Sequence, residues 1–284
     1  MRGLISLVGA CALGLSVVST AHAEAMHDWW DSAWWARGEL VVPENHTVTV
    51  TRGNYETSDV DVPVMIARPD DGEKYPAVLF VHGRRGLDEL IEPHVIRLAA
   101  RGFVVVAPDL YTGRFIEKFP IEHDYVLEED LSHGLDYLLA RDDLSSDKAC
   151  IYSHTRGGYY ALKAAVTHDR QNNGLACYVS YYPHMQDPNA PEPMQVYRYA
   201  TEVDQLTIPV LVFLGEHEQY QRKRGAEMAI NSLRSRDRDA QLVEYPGVGR
   251  GFDFRGSDVR TFADDLATKD AIQRATRFMK EHLQ

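Results

Sequence analysis

Short apolar segments alternate with helical patterns along most of the chain, and this alternation constrains the fold more than any other feature. Ala77–Val81, Val104–Ala107 and Val210–Leu214 have strand length and contain no polar residue. Strands without a polar face are buried on both sides, which is typical of a parallel sheet covered by helices. The sequence therefore predicts an α/β fold, with a mostly parallel central sheet and helices on both faces.

The predicted elements form one continuous series without a repeat or a linker. Strands are expected over 47–51, 60–67, 77–81, 104–107, 149–152, 177–181, 210–214 and 241–245, and helices over 90–101, 127–140, 158–167, 226–235 and 263–282. We therefore predict a signal peptide over 1–23, a tryptophan-rich arm with a β-rich lead-in over 24–58, and a single α/β domain over 59–284.

The first 23 residues are typical of an export signal. The apolar run Leu4–Val18 is shorter than the roughly 20 residues of a membrane span, and Ala21–Ala23 has the small-x-small pattern of a cleavage site. Cleavage after Ala23 leaves 261 of the 284 residues, and the loss of Arg2 changes the net charge from −12 to −13. We expect a periplasmic or extracellular protein without a transmembrane segment. Lipid attachment at Cys11, which follows a lipobox-like segment, is the alternative.

The net negative charge indicates which classes of partner the protein is not expected to bind. A net charge of −12 argues against a general nucleic-acid binder and against attraction to anionic lipid, because both need a basic face. The hydrophobic share of 44% is ordinary for a folded chain, so wholesale disorder is not expected. We therefore expect a folded protein whose ligand is a small molecule.

Two sets of residues leave alternatives open. Cys150 and Cys177 lie in predicted strands, where a disulfide is possible in an oxidising compartment, although two buried free thiols are the favoured interpretation. The four tryptophans either pack on the surface of the domain, which is favoured, or form a docking site for a partner protein or a membrane interface. These tryptophans are Trp29, Trp30, Trp34 and Trp35.

Candidate functional residues follow four of the predicted strands. In α/β folds the site lies beyond the carboxyl ends of the strands. The four segments are Val81–Gly86, Ala107–Arg114, Ser153–Gly158 and Tyr245–Phe252. Together they resemble the dienelactone hydrolase family of the α/β-hydrolase fold, over about residues 60–284. The resemblance rests on His82-Gly83, on the helix end 98–103 leading into 107–111, on Gly157-Gly158, on 209–215 and on Tyr245-Pro246-Gly247 before Gly251-Phe252.

The resemblance implies a nucleophile, an acid and a histidine. Alignment on Gly157-Gly158 places Thr155 in the nucleophile position, whereas a nucleophilic Ser153 would have bulkier neighbours. Glu218 takes the acid position, and Arg250 takes the histidine position. A guanidinium stays protonated and cannot accept the proton of the nucleophile.

The substituted positions lead to three hypotheses. The first is a family member with little or no ordinary ester or lactone hydrolysis, whose cleft binds a small anion. The second is an active ester or lactone hydrolase in which Thr155 attacks with help from His184 or His217, and the third is a scaffold that docks a partner through the tryptophans.

Arginines near the same loops support the anion hypothesis, because a guanidinium binds carboxylates through two parallel hydrogen bonds. The predicted ligand-binding residues are Arg84, Arg85, Arg114, Arg156 and Arg255. Backbone amides of Arg84 and Arg156 would add anion donors. The sequence indicates no cofactor and no metal site.

Overall fold

The computed structural model describes residues 46–256 and 258–284. The predicted signal peptide, the lipobox alternative and the tryptophan cluster lie outside these residues. Within them, no helix is both long enough and apolar enough to cross a bilayer.

The described residues form an eight-stranded sheet that is mostly parallel. The strands are β1 (Val48–Glu56), β2 (Asp61–Pro69), β3 (Tyr75–Val81), β4 (Val104–Pro108), β5 (Leu144–His154), β6 (Leu175–Tyr181), β7 (Val210–His217) and β8 (Ala240–Gly249). Their order is β1-β2-β4-β3-β5-β6-β7-β8. The first two pairings, β1 with β2 and β2 with β4, are antiparallel, and the others are parallel. This architecture confirms the predicted α/β fold.

Helices cover both faces of the sheet. They are α1 (Glu92–Ala100), α2 (Val126–Leu139), α3 (Gly157–Val166), α4 (Glu192–Tyr197), α5 (Tyr220–Ser235) and α6 (Phe262–His282), with short 3-10 turns at Thr112–Arg114 and Thr201–Gln205. The α6 helix begins with a capping box, in which Thr261 and Asp264 satisfy each other's backbone amides.

The alternation of side chains along β5 shows which helix covers which face. Tyr178, which shares the Ser153 side of the sheet, donates its hydroxyl to the Gly158 carbonyl in α3 at 2.9 Å. His154 projects to the opposite side and contacts the ring of His94 in α1. Consecutive residues at the end of β5 therefore face different layers of the molecule.

The observed elements differ from the predicted ones mainly where a helix contains polar residues. The α5 helix begins at Tyr220 rather than at 226, because its first turns are polar and carry no apolar stripe. The six-residue α4 helix was not predicted. The strand β1 falls within the predicted lead-in and forms the edge of the same sheet.

The favoured expectation of two free thiols is wrong, because Cys150 and Cys177 form a disulfide. The two residues are direct neighbours in the pairing of β5 with β6. The sequence showed two apolar strands but could not show that they are adjacent, or that these two positions are in register.

Candidate active site

The turn between β5 and α3 places Thr155 at the end of a central strand. Its backbone φ is +52°, a left-handed conformation that is strained for a β-branched residue. The Thr155 carbonyl accepts hydrogen bonds from the amides of Gly158 at 3.1 Å and of His184 at 2.8 Å. A strained strand-to-helix turn of this kind is the geometry that exposes a nucleophile in α/β-hydrolases.

Small residues make this turn possible. A Cβ on Gly83 would lie 1.8 Å from Thr155 Oγ1, and one on Gly157 would lie 2.6 Å from the His82 carbonyl oxygen. Ser153, the other candidate, is fully buried and donates its hydroxyl to Ser180 Oγ at 2.7 Å. Thr155, and not Ser153, therefore stands at the exposed point of the turn.

The acid and histidine positions come together as an ion pair. Arg250 Nη1 lies 3.0 Å from Glu218 Oε1, and the Glu218 side chain is fully buried. Glu218 Oε1 also accepts the Gln219 amide at 2.8 Å, while Oε2 has no hydrogen-bond partner among the described residues. The Arg250 guanidinium lies over the Tyr182 ring, 5.4 Å from its centre. Because a guanidinium is a permanent cation, the group that pairs with Glu218 cannot accept a proton near neutral pH.

Comparison with known proteins identifies the family. Residues 62–283 match the dienelactone hydrolase family. The chain belongs to the dienelactone hydrolase family.

Curated relatives in this family are distant but cover most of the chain. A provisionally assigned carboxymethylenebutenolidase of Yersinia pestis is 25% identical over 239 residues, which cover 78% of this chain and 84% of the relative. One from Escherichia coli K12 is 24% identical over 236 residues, covering 78% and 83%.

Solved structures show the same fold. A provisionally assigned dienelactone hydrolase from Klebsiella pneumoniae superimposes with a TM-score of 0.66 at 22% identity, over 83% of this chain and all of that one. A dienelactone-hydrolase-like promiscuous phosphotriesterase from metagenomic libraries gives 0.65 at 17% identity, over 84% of this chain and 99% of that one. Both the predicted resemblance and the fold class are therefore confirmed.

The histidine of the His82-Gly83 motif has a structural role in this member of the family. His82 is fully buried, and its Nε2 accepts the Leu110 amide at 3.1 Å. Nδ1 therefore carries the proton and donates it to the Gly83 carbonyl at 2.8 Å. Burial lowers the pKa of His82, which keeps the ring neutral. The imidazole links the segment after β4 to the loop that faces Thr155.

Two of the predicted arginines hold a neighbouring loop segment by its carbonyl oxygens. Arg84 donates to the carbonyls of Phe119 and Pro120 at 2.7 and 2.8 Å. Arg156 donates to those of Pro120, Ile121 and Glu122 at 2.8 to 3.1 Å. These contacts are with neutral acceptors, so they leave both positive charges uncompensated.

The other three predicted arginines have acidic partners. Arg85 lies 2.7 Å from Asp88, and Arg255 lies 3.6 Å from Asp264. Arg114 bonds both Asp130, at 2.5 Å, and Asp59, at 2.9 Å. Ligand binding by these three residues stays a prediction.

Four arginines lie close enough to the buried imidazole of His184 to affect its charge. Burial lowers the pKa of His184 well below its usual value, and repulsion from Arg222, Arg250, Arg156 and Arg84 lowers it further. His184 Nδ1 has no hydrogen-bond partner among the described residues. His184 therefore stays neutral within a strongly positive environment, whereas His217 is exposed at the end of β7.

Arg222 is the member of this group that sequence reasoning missed. It lies in the first turn of α5, and its Nη1 donates to Gln186 Oε1 at 3.1 Å. Burial, aided by repulsion from Arg250 and Arg156, lowers the pKa of Arg222 to about 10. A helix start placed at 226 left this residue outside the predicted helix, although its position shortly after Glu218 was a usable signal.

The backbone near Thr155 also offers donors. Within the described residues, the amide N–H groups of Arg84 and Arg156 donate no hydrogen bond. A cavity of about 380 Å³, lined in part by Pro120, Glu122 and Tyr160, borders the segment that Arg156 holds. This volume is in the range of small-molecule sites.

Proposed function

We propose that this dienelactone hydrolase family protein is exported, lacks ordinary ester and lactone hydrolysis, and binds a small carboxylate near Thr155. The observation that carries the proposal is the ion pair of Arg250 with Glu218, 3.0 Å apart. General-base catalysis needs a group that can accept a proton near neutral pH, and a guanidinium cannot. A threonine hydroxyl without a base is unreactive.

The charge distribution supports an anionic ligand. Arg84 and Arg156 bond carbonyl oxygens and Arg222 bonds an amide oxygen, so none of these three has a carboxylate partner among the described residues. Arg250 alone of the four arginines around His184 is paired, with Glu218. The excess positive charge would attract an anion in an otherwise acidic protein, and the free amides of Arg84 and Arg156 would bind its oxygens.

Hydrolytic activity is the first test. Purified mature protein is assayed with p-nitrophenyl acetate and small lactones beside Thr155→Ala. We expect no turnover that depends on Thr155. The double variant Thr155→Cys with Arg250→His should gain about 100-fold or more, because a positioned base contributes about 10²–10⁴-fold. Turnover that Thr155→Ala abolishes would overturn the proposal.

Ligand binding is the second test. Thermal shift with a panel of small carboxylates should show stabilisation, which amounts to about 1.4 kcal/mol at ten times the dissociation constant. Arg222→Ala and Arg250→Ala should remove the shift. Arg236→Ala, at the other end of α5 in an exposed pair with Asp204, is the matched control and should retain it. A shift that survives both cleft substitutions, or no shift with any acid, contradicts the proposal.

One observation favours an active hydrolase as the second candidate. His184 is neutral and its backbone amide lies 2.8 Å from the Thr155 carbonyl, so a base is close to the nucleophile position. Within the described residues, however, no hydrogen bond joins the imidazole to the Thr155 hydroxyl. His184→Gln in the same assay distinguishes this candidate, because it would abolish Thr155-dependent turnover.

Export is supported by the signal-like residues 1–23 and by the disulfide of Cys150 with Cys177, since disulfides persist mainly outside the reducing cytosol. Fractionation of expressing cells tests it, with N-terminal sequencing expected to begin at Glu24. Partner docking through Trp29–Trp35 stays a prediction, and quenching of the tryptophan fluorescence by acrylamide would test the exposure of this segment.

A further inference from the structure

A second cluster of chemically capable side chains lies on the opposite face of the sheet from α3. It consists of His94 from α1, His154 from the end of β5, and Asp253 from the loop after β8. The three side chains are buried, and one ligand atom from each lies within 4.8 Å of the others. The cluster takes no part in the proposed function of the cleft.

The distances within the cluster suit a tetrahedral metal ion. Asp253 Oδ2 lies 2.8 Å from His154 Nε2 and 3.6 Å from His94 Nδ1. Zinc bonds to imidazole and carboxylate are about 2.0–2.2 Å long, so neighbouring ligand atoms of a tetrahedral site lie about 3.4 Å apart. The two measured distances lie on either side of that value. Two imidazoles with one carboxylate are a donor set that suits zinc and the neighbouring divalent metals.

The surroundings would hold these ligands in place. The Tyr182 hydroxyl donates to Asp253 Oδ1, the oxygen that does not face the histidines. Such an outer contact orients a ligating carboxylate. The His154 ring also packs against the rings of Phe80, Tyr181 and Tyr182. The cluster is therefore enclosed by well-packed side chains, and a tetrahedral ion on its three ligands would take a fourth ligand such as water.

Two nitrogens of the histidine rings do not face Asp253. His94 Nε2 and His154 Nδ1 are buried and have no hydrogen-bond partner among the described residues. A buried polar atom without a hydrogen-bond partner lowers the stability of the folded state, so such atoms are rare in native proteins. A metal ion would bind the other nitrogen of each ring, His94 Nδ1 and His154 Nε2, which are the atoms that face Asp253.

We infer that His94, His154 and Asp253 bind one divalent first-row transition metal ion of the zinc type, as a structural site that joins α1, β5 and the loop after β8. The alternative occupant is a proton, which would make His154 the cationic partner of Asp253. Arg97 places further positive charge near His94 and would weaken a metal site. We therefore expect Arg97→Gln to raise the metal affinity.

Metal content of the purified protein tests the inference. Tag-free mature protein is incubated with Zn²⁺ or Co²⁺, desalted and analysed by mass spectrometry for metals. We expect about one ion per chain, a visible absorption band with Co²⁺, and a lower melting temperature after chelation. His94→Gln and Asp253→Asn should abolish retention. The matched control is His123→Gln, since His123 is buried and lies 2.8 Å from Glu128 but lacks a third ligand.

Two outcomes overturn the inference. One is a wild-type protein that retains no metal and whose melting temperature does not respond to chelator. The other is equal retention by wild type and His94→Gln, which would assign the metal to other histidines. Tyr182→Phe gives a readout if those variants fail to fold, because it keeps all three ligands and should weaken affinity about 10- to 100-fold. Unchanged affinity in Tyr182→Phe would also count against the site. None of these results depends on the cleft.

Discussion

Two buried carboxylates, Glu218 and Asp253, have partners of different kinds. Glu218 pairs with the Arg250 guanidinium, which lies over the Tyr182 ring. Asp253 accepts the Tyr182 hydroxyl and pairs with the imidazole of His154. Glu218 therefore has a guanidinium as its partner, whereas Asp253 has an imidazole and a tyrosine hydroxyl.

The comparison shows that proximity along the chain does not make a catalytic pair. His154 precedes Thr155 directly, but its ring points to the α1 side of the sheet and contacts His94. Thr155 Oγ1 points towards Gly83 instead. Because successive side chains of a strand face opposite sides, an imidazole next to the nucleophile position is directed away from it.

The electrostatic consequences also differ. Burial alone would raise the pKa of Asp253, but His154, His94 and Tyr182 stabilise its charged form and lower the pKa overall. In the cleft, burial and four arginines lower the pKa of His184. The neighbours of Asp253 therefore stabilise its negative charge, whereas the surroundings of His184 have an excess of positive charge.

Removal of each carboxylate gives the largest contrast between the two regions. Asp253→Ala should cost about 3 kcal/mol or more of unfolding free energy, because it leaves the buried His154 ring and Tyr182 hydroxyl without a partner, at about 1–3 kcal/mol each. Glu218→Ala should cost about 1 kcal/mol or less, since Arg250 is partly exposed and can reach water. Urea unfolding with chelator present measures both without a metal contribution. Equal costs would contradict the contrast, and Asp253→Asn provides a milder variant if the alanine variant does not fold.

The disulfide supports both regions, because β5 ends at His154, directly before Thr155, while β6 leads into Tyr182 and His184. Alkylation of the unfolded mature protein should label neither Cys150 nor Cys177 without reductant, and both after reduction. Replacement of both by serine should cost about 3 kcal/mol of unfolding free energy. Labelling without reductant would show that the bridge does not form.

The smallest expected effect is on the pH dependence of the unfolding free energy, to which His184 contributes near Thr155. His184 has a lower pKa in the folded than in the unfolded chain, so the unfolded state binds more protons as the pH falls below about 6.5. Its contribution to stability is therefore present above that pH and is lost below it, by at most about 1.4 kcal/mol per pH unit. His184→Gln should flatten the curve of unfolding free energy between about pH 6.5 and 5. An unchanged slope would show that the ring is not held neutral.

Much of the fold could be predicted, because a strand that is buried on both faces appears in the sequence as a short run of apolar residues. A strand such as Ala77–Val81 must be wholly apolar when helices cover both sides, and the observed strand ends at the same residue. The start of α5 could not be predicted, because its first turns are polar and show no apolar periodicity. Thr155, Glu218 and Arg250 could be proposed as the triad positions because small residues fix the register of their loops, and these assignments stay predictions.

The sequence by itself determined the fold class, the family and the loops that carry Thr155, Glu218 and Arg250. These features rest on local patterns, since apolar runs and tight turns constrain the residues that form them. Only the tertiary structure decided that Arg250 pairs with Glu218, that Cys150 bonds Cys177, and that His94, His154 and Asp253 meet in the interior. The pairing of distant side chains depends on strand order and on the face to which each residue points. A linear sequence specifies both only through the packing of the whole chain.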